Sequence, residues 1–155
     1  LCAIGWAGIL SRFLAALGFL FDQAGVGKVV ADMVSTVVPV DLRLACVIAY
    51  CGAMALFTMV MGNAFAAFAV ITSGIGIPLV IKMHGADPAI AGVIAMLSGY
   101  CGTLMTPMAA NFNVVPAALL EMKDKHGVIR VQILTALPML VINIALMYFL
   151  AFPNN

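Results

Sequence analysis

Residues 44–81 read LACVIAYCGAMALFTMVMGNAFAAFAVITSGIGIPLVI and contain no Asp, Glu, Lys or Arg. As one α-helix this stretch of about 38 residues would be about 57 Å long, nearly twice the thickness of bilayer hydrocarbon. It has to turn back on itself. The strongest turn signal near its middle is Gly62-Asn63. Two arrangements satisfy the length: two spans joined by a minimal turn, or a helical hairpin whose tip lies inside the membrane. The turn is uncharged, lacks Pro and is flanked by Met61 and Ala64. An exposed loop is usually more polar, so the reading favours a hairpin over 44–81 with a buried tip at 62–63.

The next apolar stretch, Pro88 to Leu120, is also uncharged. At about 33 residues it would make a helix of about 50 Å, too long for one straight span and short for two. Its centre reads Ser98-Gly-Tyr-Cys-Gly-Thr-Leu-Met-Thr-Pro107, followed by Asn111 and Asn113. Pro107 removes a backbone donor and interrupts the helical ladder. Irregular backbone at membrane depth survives only when buried in protein or lining a wet cavity. These features predict a broken transmembrane helix over 88–120, with the gap within Thr103 to Asn113.

Three further segments complete the chain. Residues 1–21 make about one span, interrupted by Arg12; an Arg at the bilayer centre costs roughly 2.5–3.5 kcal/mol, so Arg12 is expected near an interface or against protein. In 22–39, Val26, Val29, Val30, Met33, Val34 and Val37 fall on one helical face, with Lys28 and Asp32 opposite. Either an interfacial amphipathic helix or a connecting helix packed on the bundle fits that pattern. Glu121 to Arg130 is the densely charged loop, and 131–152 is a final span containing Pro138 and Asn143. The positive-inside rule puts the charged loop in the cytoplasm and the C-terminus outside.

Composition agrees with a membrane setting. Hydrophobic residues are 65% of the chain and charged residues 8%, against about 25% charged in a soluble domain. A net charge of +1 with no basic stripe argues against nucleic acid. The chain starts at Leu1 inside an apolar stretch, without a cleavable leader pattern, and is expected to be the C-terminal part of a longer protein. Cys2, Cys46, Cys51 and Cys101 lack ligand spacing and read as small hydrophobes, and the eleven Met residues read as packing. No HExxH, GxSxG or intramembrane carboxylate pair is present, so an enzyme is not expected, nor a bound metal cofactor.

Two interruptions at membrane depth have a chemistry of their own. A half-helix starting inside the membrane points free N–H groups and a positive dipole end at its surroundings, which suits a carboxylate. Unwound backbone frees carbonyl oxygens for a hard cation such as Na⁺. The tip offers Gly62 and Asn63, with Thr58, Thr72, Ser73 and Gly74 nearby. The break offers Ser98, Thr103, Thr106, Pro107, Asn111 and Asn113. Thr58, Ser73, Ser98 and Asn143 read more readily as helix-to-helix glue. The spans contain no Asp or Glu, and His84 and His126 fall in loops, so Na⁺ is favoured over an internal proton relay as coupling ion.

Met61-Gly-Asn-Ala-Phe-Ala-Ala-Phe68, Gly74-Ile-Gly-Ile-Pro78, Gly127-Val-Ile129 and the long run Leu97 to Ala118 resemble the C-terminal part of domain-of-unknown-function family 979. That resemblance implies one subunit of a bacterial 5-oxoproline transporter, working with a second membrane subunit. More distantly, the chain is similar to the ion transporter superfamily, built from inverted repeats that each carry a re-entrant hairpin and a broken helix. Of that family's Ser-Asn-Thr tip only Asn63 carries over; Thr106-Pro107 matches its unwound segment, and Asn111 lies somewhat further along than the family's Asn.

The expectation is therefore an all-α integral membrane protein, a single membrane domain over 1–155, forming one inverted repeat with a re-entrant hairpin and a broken helix. It would act as a symporter subunit in the bacterial inner membrane, moving a small organic acid. Substrate would bind at Gly62, Asn63, Thr103, Thr106, Pro107, Asn111 and Asn113, with Na⁺ near Asn63, Thr106 and Asn111. Expected partners are the bilayer, the second subunit and, compatibly, a second copy of the chain. The alternatives are a non-transporting scaffold subunit and a channel.

Overall fold

A helix rich in Ala, Leu, Met and Val needs no polar face in lipid, and its ends are set by the residues that break it. In the computed structural model the first described helix, α1 (Arg43–Met61, 19 residues), ends where Gly62 takes φ 69° and ψ 7° and donates its N–H to the Thr58 carbonyl. This left-handed position strongly favours glycine. Asn63 returns to extended backbone, and its side-chain oxygen accepts from the Phe65 N–H at 2.9 Å, capping α2 (Ala64–Ile71). The two residues Gly62 and Asn63 thus make the whole turn.

The structure describes residues 41–122, 124 and 126–152, together with 16, 20, 23–25, 29, 32, 33, 36 and 39; at 110 and 111 it describes the backbone alone. The expected first span 1–21 and interfacial helix 22–39 lie outside the described residues apart from those positions.

Helix α2 runs directly into a 12-residue π-helical segment, Thr72–Met83, which sequence reading did not foresee. The chain then enters α3 (Pro88–Leu104, 17 residues), whose start is fixed by Asp87: its Oδ1 accepts from the N–H groups of Ala89 at 2.8 Å and Ile90 at 3.1 Å, with Pro88 in the first turn. Helix α4 (Ala110–Leu119) and helix α5 (Gly127–Leu150, 24 residues) follow. The interruption between α3 and α4 is confined to 105–109. Thr103 belongs to the last turn of α3, and Asn111 and Asn113 to the start of α4, rather than to the gap itself.

Helix α5 starts before the expected span at 131. Asp124 organises that start: its carboxylate accepts from the His126 N–H at 2.9 Å and its carbonyl from the Gly127 N–H at 3.1 Å. Arg130 pairs with the same carboxylate at 3.6 Å, so a residue expected in the loop sits one turn inside the helix.

Helix α3 is the centre of the bundle and packs against α1, α2, the π segment, α4 and α5. Close packing depends on glycine: a Cβ on Gly102 would collide with the Ala55 carbonyl, and one on Gly99 would meet Met54 at 2.9 Å and Ala64 at 3.3 Å. Small residues let backbones approach in the absence of a hydrophobic drive between helices. The core is drawn from Tyr50, Cys51 and Met54 of α1, Ile75 and Val80 of the π segment, Ala91 and Ala95 of α3, and Met147 of α5. Cys46, Cys51 and Cys101 are buried and form no disulfide among the described residues.

The outer surface is apolar. Leu44, Ile48, Leu56 and Val60 form an exposed stripe along α1, and Val131, Leu134, Val141 and Phe149 project from α5. Three helical runs, Arg43–Met61, Ala64–Met83 and Gly127–Leu150, are long and apolar enough to cross a bilayer. The chain is an all-helical, multi-pass membrane protein, with five α-helices and one π segment among the described residues.

One end of the bundle is tied together. The Asp87 N–H donates to the Ala151 carbonyl at 2.7 Å, and the Arg43 guanidinium lies 4.8 Å from the centre of the Phe152 ring. Asp87→Ala removes the cap of α3 and is expected to lower stability by about 1 kcal/mol. Asp87→Asn, which keeps a capping oxygen, should recover most of that loss in a thermal-unfolding assay.

Candidate interhelical site

The tip between α1 and α2 and the gap between α3 and α4 lie against each other. A Cβ on Gly62 would stand 2.6 Å from the Met108 carbonyl oxygen and 3.0 Å from the Met108 Cβ, so only a hydrogen fits at that point. Beside this contact the Thr106 hydroxyl donates to the Met59 carbonyl at 2.7 Å. Met59 lies in the last turn of α1, where carbonyls have no partner within the helix. Thr106 Oγ1 also accepts from the Met108 N–H at 3.2 Å. One side chain from the gap therefore satisfies the end of α1 and shapes the gap itself.

Asn113 closes the other side. Its Nδ2 donates to the Thr103 carbonyl at 2.8 Å and to the Thr106 carbonyl at 2.5 Å. The first belongs to the last turn of α3, where carbonyls lack a helical partner, and the second to the gap. The donors and acceptors then divide unevenly. Asn113 is fully buried, both its amide protons have acceptors, and its Oδ1 has no hydrogen-bond partner among the described residues. Thr58 is also fully buried; its Oγ1 has no partner among the described residues, and a Cβ on Gly99 would be 3.4 Å from it. A buried acceptor without a partner costs roughly 1–3 kcal/mol. Such an oxygen is a ready acceptor for an N–H or O–H of a bound molecule, for a water or for a hard cation.

Of the residues singled out from sequence, the structure brings Gly62, Thr103, Thr106 and Asn113 together around the tip–gap contact. The Thr103 hydroxyl turns back onto its own helix, donating to the Tyr100 carbonyl at 2.7 Å, so it is the Thr103 carbonyl that faces Asn113. Asn63 is exposed and its Oδ1 is engaged as the cap of α2. Pro107 is exposed in the turn after α3. Asn111 lies in the first turn of α4, with its side chain outside the described residues.

Sequence reading did not find the Tyr50–Thr72 pair, in which the two hydroxyl oxygens are 2.9 Å apart. It set Thr58 aside as helix glue. A signal for Thr58 was available: it stands four residues before Gly62, so its carbonyl receives the Gly62 N–H at 2.7 Å and its side chain lies at the base of the turn. Asn143, read as glue, is buried on α5, with its Nδ2 3.7 Å from the Cys101 sulfur of α3. Gln132, near the start of α5, has a buried side-chain oxygen without a partner among the described residues.

Residues 1–152 match the model of a family described as "Protein of unknown function (DUF979)". No curated protein matches the chain, and no solved structure does.

Proposed function

We propose that this chain, which belongs to the DUF979 family, is a secondary-transporter subunit that carries a small organic acid, with 5-oxoproline the leading candidate, across the bacterial inner membrane. Two observations support this most strongly: the contact of the two helix interruptions at Gly62 and Met108, and the buried Asn113 Oδ1 beside the second of them, which has no partner among the described residues. A transport site needs polar groups held inside an apolar bundle without fixed charge, and helix interruptions are a common way to obtain them. In this reading α1 and α2 with the π segment form the re-entrant hairpin, and α3 with α4 the broken helix, of one inverted repeat. A carboxylate would take backbone N–H groups at the half-helix starts. A lactam N–H would donate to Asn113 Oδ1. Na⁺ would use freed carbonyls and the Thr58 and Asn113 oxygens.

Asn63 supports a second reading. Its side-chain oxygen caps α2, which is a structural task. Thr106 and the Asn113 amide are likewise committed to backbone carbonyls. A scaffold subunit that orients a separate carrier would need no more than this.

The test is uptake of labelled 5-oxoproline by cells expressing the full-length protein with its partner subunit, with and without Na⁺. Variants are compared at equal membrane abundance. Asn63→Ala loses the cap, whereas Asn63→Asp and Asn63→Ser keep a capping oxygen. If Asn63 only caps α2, both conservative variants retain uptake near wild type while Asn63→Ala loses stability by about 1 kcal/mol. If its amide binds substrate, all three lose saturable uptake. Absence of saturable 5-oxoproline uptake by the wild-type pair would remove this substrate from the proposal.

A further inference from the structure

Helix α2 and the segment Thr72–Met83 are one continuous rod, but the winding changes from α to π at Thr72. π-helical geometry is uncommon and usually lasts a single turn; here it persists for 12 residues. Three local features account for it. Pro78 lies inside the segment, and in an α-helix its ring would press on the carbonyl of Gly74; the wider i→i+5 winding relieves that contact. Gly74 and Gly76 add backbone freedom without side-chain bulk. The ring of Tyr50 fills the space beside Gly76, where a Cβ would come within 2.6 Å of it.

The segment has one fixed end and one polar tie. At its far end the Gly85 N–H donates to the Ile81 carbonyl at 2.9 Å and the Ala86 N–H to the Val80 carbonyl at 3.2 Å, and the following Asp87 N–H is bound to Ala151. At its start the fully buried Tyr50 shares the 2.9 Å hydroxyl contact with Thr72, at the residue where the winding changes. The Ser73 hydroxyl turns back to the Val70 carbonyl at 3.0 Å across the same junction.

We infer that Thr72–Met83 is a two-state segment: the Tyr50–Thr72 hydrogen bond holds it in the wide winding, and its release lets the segment rewind about a kink at Pro78, which keeps the ring off the Gly74 carbonyl, and shift α2 and the Gly62-Asn63 turn against α3. Rewinding pairs each N–H with the carbonyl one residue nearer. Because the far end is tied at Asp87, the resulting rotation and change in length are passed to α2. The element is bistable rather than elastic, which is what a conformational switch in a packed bundle requires.

Hydrogen exchange followed by mass spectrometry on the full-length protein in lipid nanodiscs tests this, with Tyr50→Phe, Thr72→Val and the double variant. Tyr50→Phe keeps the ring against Gly76 and removes only the hydroxyl. Exchange in 72–83 and in 64–71 is expected to rise together by about tenfold, with α1, α3 and α5 within twofold of wild type and the double variant no faster than either single one. Unchanged exchange in 72–83 would overturn the inference. So would acceleration of 72–83 without 64–71, which breaks the coupling, or equal acceleration of every helix, which would mark a general loss of stability.

Discussion

Asn113→Leu should lower the stability of the folded protein by about 2–3 kcal/mol: it leaves two buried carbonyls without a donor, and removal of the unpartnered Oδ1 offsets only part of that loss. The substitution is close in volume, so little of the effect would come from packing. Asn113 Nδ2 reaches the Thr103 and Thr106 carbonyls from the start of α4. Without it the five-residue gap at 105–109 loses its anchor to α4. Asn113→Asp is the sharper variant: a carboxylate in the same place would point oxygen at both carbonyls, and should be worse than Leu while ionised. The measurement is unfolding in detergent, read by tryptophan-independent thermal aggregation, alongside the Thr106→Val variant. Thr106→Val deletes the bond to Met59 and should cost less, about 1–2 kcal/mol, because only one strong hydrogen bond is lost. Equal stability of Asn113→Leu and wild type would mean that the gap is held by something other than this amide.

The second large effect is expected at Gly62. Gly62→Ala meets two independent penalties. The left-handed backbone at φ 69° costs an L-residue about 1–2 kcal/mol. The new Cβ would be 2.6 Å from the Met108 carbonyl oxygen, and forced overpacking of this kind adds about 1–3 kcal/mol. The sum is about 2–5 kcal/mol if the turn stays against the gap. If the turn moves away instead, the overpacking cost is replaced by loss of the Thr106–Met59 hydrogen bond. Pairing Gly62→Ala with Thr106→Val separates the cases. Additive losses mean that the turn stays in place; a double variant no worse than Gly62→Ala means that the turn has already lifted.

The fold was readable where length and charge leave few choices. About 38 uncharged residues cannot cross a bilayer once, and Gly62-Asn63 was the one strong turn signal in their middle; the turn is at those two residues. The break was readable from Pro107 and its polar neighbours, since a ring without an N–H ends a ladder whatever surrounds it. Its width was not, because Asn113 acts from within α4 on carbonyls ten and seven residues back. Sequence periodicity carries no information about such a contact. The π winding was illegible for a related reason: Pro78, Gly74 and Gly76 permit it without requiring it, and Tyr50, 22 residues before Thr72, meets the segment across the bundle. The start of α5 was misjudged because charged residues were taken to mark a loop. In a membrane protein the first turn of a helix can stand in the headgroup region and keep its charges solvated.

The candidate site was legible in part, and the roles less so than the positions. Residue type pointed to Gly62, Thr106 and Asn113, which do meet. It pointed equally to Asn63, whose oxygen serves its own helix. An Asn beside a helix start satisfies the pattern for a ligand and for a cap at once, and only geometry distinguishes them.

The tied end of the bundle has a kinematic consequence. Arg43 at the start of α1 and Asp87 at the start of α3 are both fastened to the two residues that follow α5, Ala151 and Phe152. Any relative motion of α1 and α3 that leaves those fastenings intact is a pivot, like the blades of a pair of shears. Displacement then grows with distance from the pivot. A swing of about 10° would be nearly imperceptible at Arg43 yet carry the far end of a 19-residue helix through about 5 Å. Leverage is thus greatest at Gly62, where the turn now closes over the gap.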